Sequence, residues 1–477
     1  MIPAIRSCGS RLRPARLACA RASWSIGCKQ ASLPVVNFTA RRHLTFTPRL
    51  GNESSSDPES STESSSAEDQ DVRKTLDEIG FAFDIDGVLY QGVNAIPGTP
   101  LLLAGLNNKR ARYIFLSNGG GTLEEVKAES LGTRMHLSKI SRNRLITGRI
   151  ILSHTPMRAW SEAEKQQTVL ITGVRIETAR EVANELSILY GFTNVITPSD
   201  LLKANHEIYP FDKLKESLHA KHRALPGGMS ASVITDPYCS PDSIPPNALR
   251  IDKILVWNDP RDWSVDIQLI HDLLVSHRGY LGTISALNGD ASLPNRGWQQ
   301  DGQPELWVSN VDLYWKTMHP MNRFGTGAFV EALKGVWSAV TGGAELQYQA
   351  MGKPLRSTFE YAHQRLLLDD AGRITRSKSS MEQAPSPDAG QKRPLRRVYM
   401  IGDNPESDIR GASEFKPDDG TEWVPILVRT GVWRQTAAEP EPRFKPAVIV
   451  DNVVEAVLWA LGNEGIHLTR EKLMEWA

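Results

Sequence analysis

The segment FAFDIDGVLY at residues 81–90 is an apolar run that carries two carboxylates, Asp84 and Asp86, followed by Gly87. Burying one ionised carboxylate costs several kcal/mol, and a second like charge adds repulsion unless a cation or hydrogen-bond donors compensate. Side chains at i and i+2 of an extended chain point to the same side, so one acid can attack while the other handles a proton. By itself the pattern fits a catalytic pair and a solvated acidic turn about equally well.

Three further segments place polar side chains at similar positions. ARYIFLSNGGG ends in Ser117 and Asn118, and a hydroxyl with free amides at a helix start can hold a phosphate, although such residues also form simple turns. Lys353 precedes a helical stretch, and a cation at a helix start opposes the helix dipole. A nearby anion therefore explains this lysine better than helix stability does. The alternative is that Lys353 is an ordinary surface lysine, since most single surface lysines have little effect on structure. VYMIGDNPESD contains Asp403 and Asp408, and Mg²⁺ prefers such oxygen ligands.

Short apolar runs alternate with helix-like stretches, which is typical of βα units that build a parallel sheet. The predicted strands are GFAFDID, ARYIFLSN, KILVWND, ELWVSN and RVYMIGD. The spacing of Thr122 and Glu125 predicts a capping box at the start of the helix after the glycines. The chain beyond residue 72 is too long for one ordinary core and predicts two domains. Open α/β sheets bind ligands at the carboxyl ends of their strands, where the polar residues above are expected.

Two acids, a hydroxyl, a lysine and two more acids, in this order, resemble the haloacid dehalogenase superfamily. DIDGV matches its first motif, the run into Ser117 and Asn118 its second, Lys353 in GKP its third, and GDNPESD its fourth. The long gap between the second and third motifs is similar to the branch with a large α/β cap, which includes nitrophenyl phosphatases. The most similar family is the mitochondrial one named after the cat eye syndrome critical region, on the segments FDIDGVL, ILSHTPM, NRFGTGAF, MGKP and GDNPESDI. Where nitrophenyl phosphatases have PGxG after the cap, this chain has RFGTG at 323–327.

The resemblance implies an α/β fold with a doubly wound parallel-sheet core, Rossmann-like, and an inserted α/β cap domain. We expect the first part of the core at 73–155, the cap at 156–322 and the second part of the core at 323–477. A polar segment without periodicity, at about 369–396, is expected to be a disordered insertion.

The resemblance also implies a Mg²⁺-dependent phosphatase that hydrolyses a small phosphorylated metabolite through an aspartyl phosphate. Asp84 would be the nucleophile, and Asp86 would be the acid and base, a task that requires its pKa to be raised. Mg²⁺ would bind the Asp84 carboxylate, the Asp86 main-chain carbonyl and Asp403. Asp408 would support the metal through water or hold Lys353 in place.

Phosphate binding is implied for Ser117, Asn118, Gly119 and Lys353, the last of which would bridge phosphate and nucleophile. Substrate identity is expected to depend on the cap. Asn310 and Asp312 are the candidates there, although a turn after a cap strand explains them equally well. Large aromatic side chains mostly serve packing, so we interpret four cap tryptophans as core residues and not as a substrate box: Trp257, Trp263, Trp307 and Trp315. Three histidines on helix-like stretches are interpreted as structural or solvated: His271, His277 and His363.

The amino-terminal segment differs in composition from the rest of the chain. Residues 1–50 contain eight arginines, Lys29 and no acidic residue, which is typical of a mitochondrial transit peptide and predicts the mitochondrial matrix; a disordered basic tail is the alternative. Residues 51–72 are rich in serine and acids and predict a disordered linker. Three of the four cysteines lie in the leader, so a chain without it keeps only Cys239 and forms no internal disulfide.

Charge and hydropathy exclude several classes of protein. Without the leader the chain has nine more acidic than basic residues, which disfavours nucleic acid as a partner. No apolar run approaches the ~18 residues of a transmembrane helix, which also disfavours a membrane-embedded phosphatidyltransferase. A phosphomutase is the weaker enzymatic alternative. From another class, the alternative is a phosphometabolite-binding or assembly protein with little turnover, linked to glycerophospholipid metabolism. By analogy with related phosphatases, a homodimer through the cap is a further expectation.

Overall fold

The computed structural model describes residues 67–173, 190–211, 222–368, 394–437 and 439–477. The predicted transit peptide at 1–50, most of the predicted linker and most of the predicted insertion at 369–396 lie outside these described residues.

The prediction of a linker up to residue 72 is wrong at its carboxyl-terminal end, because a helix already begins at Ala67 and continues to Glu78. Leu76 of this helix is buried in the core, and Val72 packs against the same cluster. The Asp69 carboxylate accepts a hydrogen bond from Lys109 Nζ at 2.7 Å. The segment is rich in acidic residues, so its composition gave no indication that Leu76 and Val72 would pack on the core.

The strands, in chain order, are β1 (Ile79–Phe83), β2 (Tyr90–Gln91), β3 (Asn94–Ala95), β4 (Arg112–Leu116), β5 (Ile150–Ile151), β6 (Thr168–Thr172), β7 (Asn194–Ile196), β8 (Lys253–Val256), β9 (Glu305–Val308), β10 (Tyr314–Trp315), β11 (Arg323–Phe324), β12 (Gln349–Ala350), β13 (Arg397–Gly402), β14 (Glu422–Val428) and β15 (Val448–Val450). The α-helices are α1 (Ala67–Glu78), α2 (Thr99–Asn108), α3 (Glu124–Arg134), α4 (Lys139–Leu145), α5 (Glu162–Lys165), α6 (Pro198–Ala204), α7 (Trp263–Leu274), α8 (Thr326–Thr341), α9 (Arg356–Leu368), α10 (Arg410–Glu414), α11 (Val453–Asn463) and α12 (Arg470–Met474).

A six-stranded parallel sheet forms the core, in the order β15-β14-β13-β1-β4-β5. Along the central strand β1, Phe81 and Phe83 pack on one face with residues of α2, α3 and α11. Ala82 points to the other face and packs with residues of α9 and α10. Strands that are buried on both faces read as continuous apolar runs, as the predicted strand segments do. The predicted doubly wound α/β core is confirmed.

A second parallel sheet of five strands, in the order β12-β9-β8-β6-β7, is inserted in the chain between β5 and α9. It is the sheet of the expected α/β cap, but the predicted end of the cap at residue 322 is wrong. Helix α8 buries Phe329 and Leu333 in the apolar cluster of this second sheet. Strand β12 pairs Ala350 with Val308 of β9. The unit therefore extends to residue 350, because α8 turns its apolar side towards the second sheet.

The predicted capping box of Thr122 and Glu125 is also wrong. Helix α3 begins one residue later than the box requires, with Leu123 at its N-cap and no side-chain cap. The acid that matters is the buried Glu124, whose carboxylate accepts hydrogen bonds from Arg158 at 2.8 Å and from a threonine hydroxyl at 2.7 Å. Glu124 therefore forms an ion pair with the distant Arg158, and helix α3 begins without a capping box.

Two short hairpins complete the architecture: β2 pairs with β3, and β10 pairs with β11, both antiparallel. Among the helices that the structure describes, none is both long and apolar enough to cross a membrane.

Candidate active site

Two neighbouring core strands deliver the first carboxylates to one edge of the sheet. Asp84 follows β1 and Asp403 follows β13, and these strands pair in parallel. The backbone N–H of Asp84 donates to the carbonyl of Ile401 at 2.9 Å, which continues the ladder up to the acid. Both side chains are buried. The carboxyl ends of adjacent parallel strands thus bring together two acids that lie far apart in the sequence.

Lys353 lies between two of the acids and is itself buried. Its Nζ atom is 2.6 Å from Asp84 Oδ1 and 2.7 Å from Asp408 Oδ1. It also donates to the carbonyl of Leu116 at the end of β4, at 2.8 Å. The two anions raise the pKa of Lys353 well above its ordinary value, although burial opposes this. The lysine is therefore an ammonium with a fixed position beside Asp84.

Asp408 uses both of its oxygens within the protein. Oδ2 accepts hydrogen bonds from the backbone N–H groups of Asp403 and Asn404, both at 3.1 Å. Oδ1 faces Lys353. Of the two roles that the sequence left open for Asp408, these contacts favour holding Lys353 in place.

A glycine at position 87 is required by the same cluster. Gly87 has φ of 88°, in the left-handed region that favours glycine, and a Cβ there would lie 2.5 Å from Asp403 Oδ2. Asp403 Oδ2 in turn accepts a hydrogen bond from Val432 N at 2.6 Å. Gly87, which follows Asp84 and Asp86, therefore leaves room for the carboxylate of Asp403.

The acids outnumber the cations at this point of the site. Oxygens of Asp84, Asp403 and Asp408 all lie within 4.8 Å of one another. Burial, opposed by Lys353 and assisted by the charge of Asp408, raises the pKa of Asp84 to about 7. Burial and then the Asp84 charge raise the pKa of Asp403 well above its ordinary value. Clustered oxygen donors with an excess of negative charge suit a hard divalent cation. The carboxylate of Asp86 is outside this cluster.

Asp86 has two partners that the sequence did not reveal. Tyr90 OH donates to Asp86 Oδ1 at 2.5 Å, and Lys127 Nζ donates to Asp86 Oδ2 at 3.0 Å. The two partners also contact each other at 3.1 Å, and the Arg134 guanidinium lies 4.2 Å from the Tyr90 ring centre. Burial alone would raise the pKa of Asp86, but Lys127 and the Tyr90 hydrogen bond outweigh it and lower the pKa. The expectation of a raised pKa is therefore wrong for this arrangement.

The second motif places the Ser117 hydroxyl in the site, and the side chain of Asn118 joins two segments of the chain. Ser117 is buried after β4, and its Oγ accepts a hydrogen bond from Gly119 N at 3.1 Å. Asn118 Oδ1 accepts from Lys353 N at 2.7 Å, and its Nδ2 donates to Lys353 O at 2.8 Å and to Asp312 Oδ2 at 2.9 Å. The Asn118 side chain therefore joins Lys353 to the loop after β9. Ser117, Asn118 and Gly119 line a cavity of about 640 Å³ together with the acids.

Asn310 and Asp312, the candidates for substrate contact, lie at the junction of the two sheets. Asn310 Nδ2 donates to the carbonyl of Asn118 at 3.0 Å and to Thr326 Oγ1 at 3.1 Å. Burial raises the pKa of Asp312 to about 6, against the effect of Lys353. Both residues line the cavity. Their polar atoms are already engaged, which favours a role in joining the cap loop to the core.

Three of the four cap tryptophans pack inside the cap, as the sequence predicts. Trp257 is fully buried, Trp263 lies edge-on to a phenylalanine at 5.7 Å, and Trp307 lies edge-on to Trp160 at 5.0 Å. Trp315 differs, since it is 37% exposed and lines the cavity.

All three histidines have an acidic partner close by, which agrees with a structural role. The ring of His277 is 2.7 Å from Asp301, and that of His363 is 2.9 Å from Asp419. His271 lies 3.2 Å from its neighbour in sequence, Asp272.

Two segments of the chain match profiles of known protein families. The profile of the haloacid dehalogenase-like hydrolase family matches residues 81–188, and one described as HAD-hydrolase-like matches residues 350–456. A mitochondrial hydrolase of Saccharomyces cerevisiae is 32% identical over 388 residues, which cover 80% of this chain and 95% of the relative. A cardiolipin synthase (CMP-forming) and mitochondrial hydrolase fusion protein of Schizosaccharomyces pombe is 30% identical over 404 residues, which cover 84% of this chain and 56% of the fusion protein.

The solved structures to which the chain is similar are more distant in sequence. A 4-nitrophenylphosphatase of Thermotoga maritima has 12% identity and a TM-score of 0.44, covering 80% of this chain and 96% of its own. A glycerol phosphate phosphatase of Mycobacterium tuberculosis in complex with calcium has 15% identity and a TM-score of 0.42, covering 82% of this chain and 75% of its own.

Proposed function

The chain belongs to the haloacid dehalogenase-like hydrolases, and from this premise we propose that it is a Mg²⁺-dependent phosphatase, a phosphoric monoester hydrolase. Its substrate is a small phosphorylated metabolite, hydrolysed through an aspartyl-phosphate intermediate. The observation that supports this most strongly is the buried Asp84 carboxylate at the end of the central strand, 2.6 Å from Lys353 Nζ. Packing alone gives no reason for a strand to end in such a group.

Asp84 is the nucleophile of the proposal. One of its carboxylate oxygens is fixed by Lys353, while the side chain lines the cavity. In the first half-reaction a carboxylate oxygen of Asp84 attacks phosphorus, and the bond from phosphorus to the leaving alcohol breaks. Lys353 offsets charge on Asp84 and on the transferred phosphoryl group.

Mg²⁺ fits the acidic cluster by its donor set. The carboxylates of Asp84 and Asp403 would hold it with the main-chain carbonyl of Asp86, while Asp408 keeps Lys353 in position. When bound, the ion supplies positive charge that offsets the oxygens of the transferring phosphoryl group.

Asp86 moves the protons of both half-reactions. In the first it donates a proton to the leaving alcohol, and in the second it takes one from the water that attacks the aspartyl phosphate. The ionised form held by Tyr90 and Lys127 is the one that the second half-reaction uses. The first half-reaction requires a proton on Asp86. Because Lys127 lowers the pKa of Asp86, substrate binding has to weaken the contact between these two side chains.

Ser117 Oγ and the backbone amides of the glycines after it hold the phosphoryl oxygens in this proposal. Ser117 and Gly119 line the cavity directly. Backbone N–H groups at a glycine-rich turn before a helix suit an anion.

The mitochondrial matrix is the proposed compartment. Two observations support it: the arginine-rich, acid-free composition of residues 1–50, and the mitochondrial names of the Saccharomyces cerevisiae and Schizosaccharomyces pombe relatives.

A second candidate function is a phosphometabolite-binding or assembly protein with little turnover, linked to glycerophospholipid metabolism. The relative in which a similar chain is fused to a cardiolipin synthase favours this link.

Phosphate release from a panel of phosphorylated metabolites distinguishes the two candidates. We expect the full chain to release phosphate from at least one panel member with Mg²⁺, and the release to stop with a chelator and resume when Mg²⁺ is added back. Absence of release from every member, with Mg²⁺ binding shown by calorimetry, would favour the binding protein over the phosphatase.

The contact of Tyr90 with Asp86 leads to a second prediction. Tyr90→Phe removes the 2.5 Å hydrogen bond and leaves Asp86 with Lys127 alone. We expect kcat to fall by about tenfold with little change in KM, because proton transfer depends on the position of Asp86. The control is Tyr238→Phe at a side chain that is 75% exposed. An unchanged kcat would show that Tyr90 does not position Asp86.

A further inference from the structure

The segment from residue 313 to residue 324, here called the rim hairpin, exposes several large apolar side chains. It contains β10 and β11 and connects Asp312 to the start of α8. Single exposed apolar side chains are ordinary, whereas a contiguous group marks an interaction site. Six apolar side chains of the rim hairpin are between 37% and 70% exposed: Leu313, Tyr314, Trp315, Met318, Met321 and Phe324.

The rim hairpin is attached to the core at its base. Asn322 Nδ2 donates to the carbonyl of Val432 at 3.2 Å. Met318 Cγ lies so close to the β2–β3 turn that a Cβ on Gly92 would be 1.8 Å from it. The ring of Tyr314 stacks on Phe324 at 5.7 Å. These contacts fix the position of the rim hairpin. The apolar side chains that stay exposed are therefore not needed to hold the hairpin on the core.

The charge of the rim hairpin is opposite to that of the body of the protein. The segment contains no acidic residue, and its Arg323 is exposed, whereas Lys316 is buried and its Nζ donates to the carbonyls of His319 and Pro320, both at 3.0 Å. Arg434 is exposed and lies close to the rim hairpin. Burial lowers the pKa of Lys316, and the positive charge of Arg434 lowers it further as the smaller of the two effects. The exposed apolar surface is therefore bordered by positive charge.

A groove of about 750 Å³ lies beside the rim hairpin and is lined by equal numbers of basic and acidic side chains. Arg410, Arg434 and Arg443 line it, together with Asp312, Glu406 and Glu439. Arg443 lies 3.7 Å from Glu406 and Arg410 lies 3.0 Å from Glu414, so the charges of these two arginines are balanced, and the positive charge beside the rim hairpin is that of Arg434.

We propose that the rim hairpin docks the protein on the surface of a membrane that contains anionic lipids. The side chains of Met321 and Phe324 enter the interfacial layer, and Arg323 and Arg434 face the headgroups. Peripheral membrane binding combines a buried apolar face with attraction between basic side chains and anionic lipids. Amphipathic aromatic side chains such as Tyr314 suit the boundary between water and lipid.

A second copy of this chain is the less suitable occupant of the same surface. A twofold contact pairs a surface patch with itself, so it would bring the basic side chains of both copies together. An anionic lipid surface has the complementary charge.

Docking in this orientation has a consequence for the cavity. Trp315, Lys316 and Met318 of the rim hairpin also line the cavity that holds the acids. The side of the cavity that the rim hairpin forms is therefore placed near the membrane surface. Membrane binding by the rim hairpin is measured without turnover and is therefore independent of the proposed phosphatase activity.

Vesicle co-sedimentation of the full chain tests the proposal. The probes are vesicles of phosphatidylcholine alone and of phosphatidylcholine with phosphatidylglycerol. We expect the double variant Met321→Ser/Phe324→Ser to bind phosphatidylglycerol vesicles at least about tenfold more weakly than the wild type, since two large apolar side chains lose their burial in lipid. The matched control is Ile140→Ser, at an apolar side chain that is 81% exposed on α4, and we expect its binding to be unchanged. The basic segment 1–50 is present in every variant, so the difference between them reports the rim hairpin.

A charge variant keeps the test valid if the apolar variant does not fold. Arg323→Gln/Arg434→Gln is expected to weaken binding to phosphatidylglycerol vesicles severalfold and to reduce its dependence on salt. Equal vesicle binding by the wild type and a folded variant would overturn the proposal, as would a wild type that binds no vesicles. So would a dimer, seen by sedimentation velocity, that Met321→Ser/Phe324→Ser dissociates while vesicle binding is unchanged.

Discussion

Asp84→Asn is expected to reduce Mg²⁺-dependent phosphate release by at least about 10³-fold, the scale seen when a nucleophile is removed. The amide cannot attack phosphorus, whereas the rest of the site keeps its geometry. Lys353 retains Asp408 at 2.7 Å and the Leu116 carbonyl at 2.8 Å, so the variant is expected to fold. The measurement is the initial rate of phosphate release with the substrate that the metabolite panel identifies.

The covalent intermediate gives this prediction a second readout. Rapid acid quench of the wild type during turnover is expected to leave a phosphate-sized mass increase on the peptide that contains Asp84, and the variant is expected to leave none. Asp418→Asn is the matched control, since the Asp418 side chain is 99% exposed. If Asp84→Asn keeps most of the activity, Asp84 is not the nucleophile.

Asp403→Asn is expected to have opposite effects on the metal-free and the metal-bound protein. Burial and the charges of Asp84 and Asp408 raise the pKa of Asp403 well above its ordinary value, so its ionised form destabilises the metal-free fold at neutral pH. The neutral amide oxygen can still accept the hydrogen bond from Val432 N. We therefore expect the melting temperature in a chelator to rise, with a gain of about 1–3 kcal/mol in the free energy of unfolding.

With Mg²⁺ present the same variant is expected to lose the benefit of the ion. A ligand that binds only the folded state stabilises it by RT ln(1 + L/Kd), where L is the concentration of free ligand, so the wild type should melt at a higher temperature as Mg²⁺ is added. The variant lacks one of the proposed ligands and should show little of this shift. Asp451→Asn is the control, since that side chain is 82% exposed. Equal Mg²⁺ stabilisation of the wild type and Asp403→Asn would exclude Asp403 as a ligand.

Much of the core and the cap could be predicted because local patterns carried the information. Each of the predicted strands is a continuous apolar run, and each of them forms a strand in one of the two parallel sheets. Asp84 and Asp403 meet because β1 and β13 are parallel neighbours whose carboxyl ends lie at one edge. The alternation of strands and helices, with the order of the motifs, was sufficient for this inference.

The errors share one physical cause, which is that contacts between distant segments override local patterns. Glu124 pairs with Arg158 and does not take part in a local cap. Helix α8 turns its apolar side towards the second sheet, so the cap extends beyond its predicted end. In both cases the local sequence was compatible with the wrong assignment.

The sequence by itself determined the fold class, the family and the edge of the sheet where the polar residues collect, because strand composition and motif order are local properties of the chain. Only the tertiary structure decided which partners those residues have. The contact of Asp86 with Lys127 spans 41 residues, and that of Lys353 with Asn118 spans 235. Their geometry depends on how helices and loops pack on the sheet, and no spacing in the sequence encodes it. Charge balance at Asp84, Asp86 and Asp403 follows from that packing, and with it the pKa of each acid.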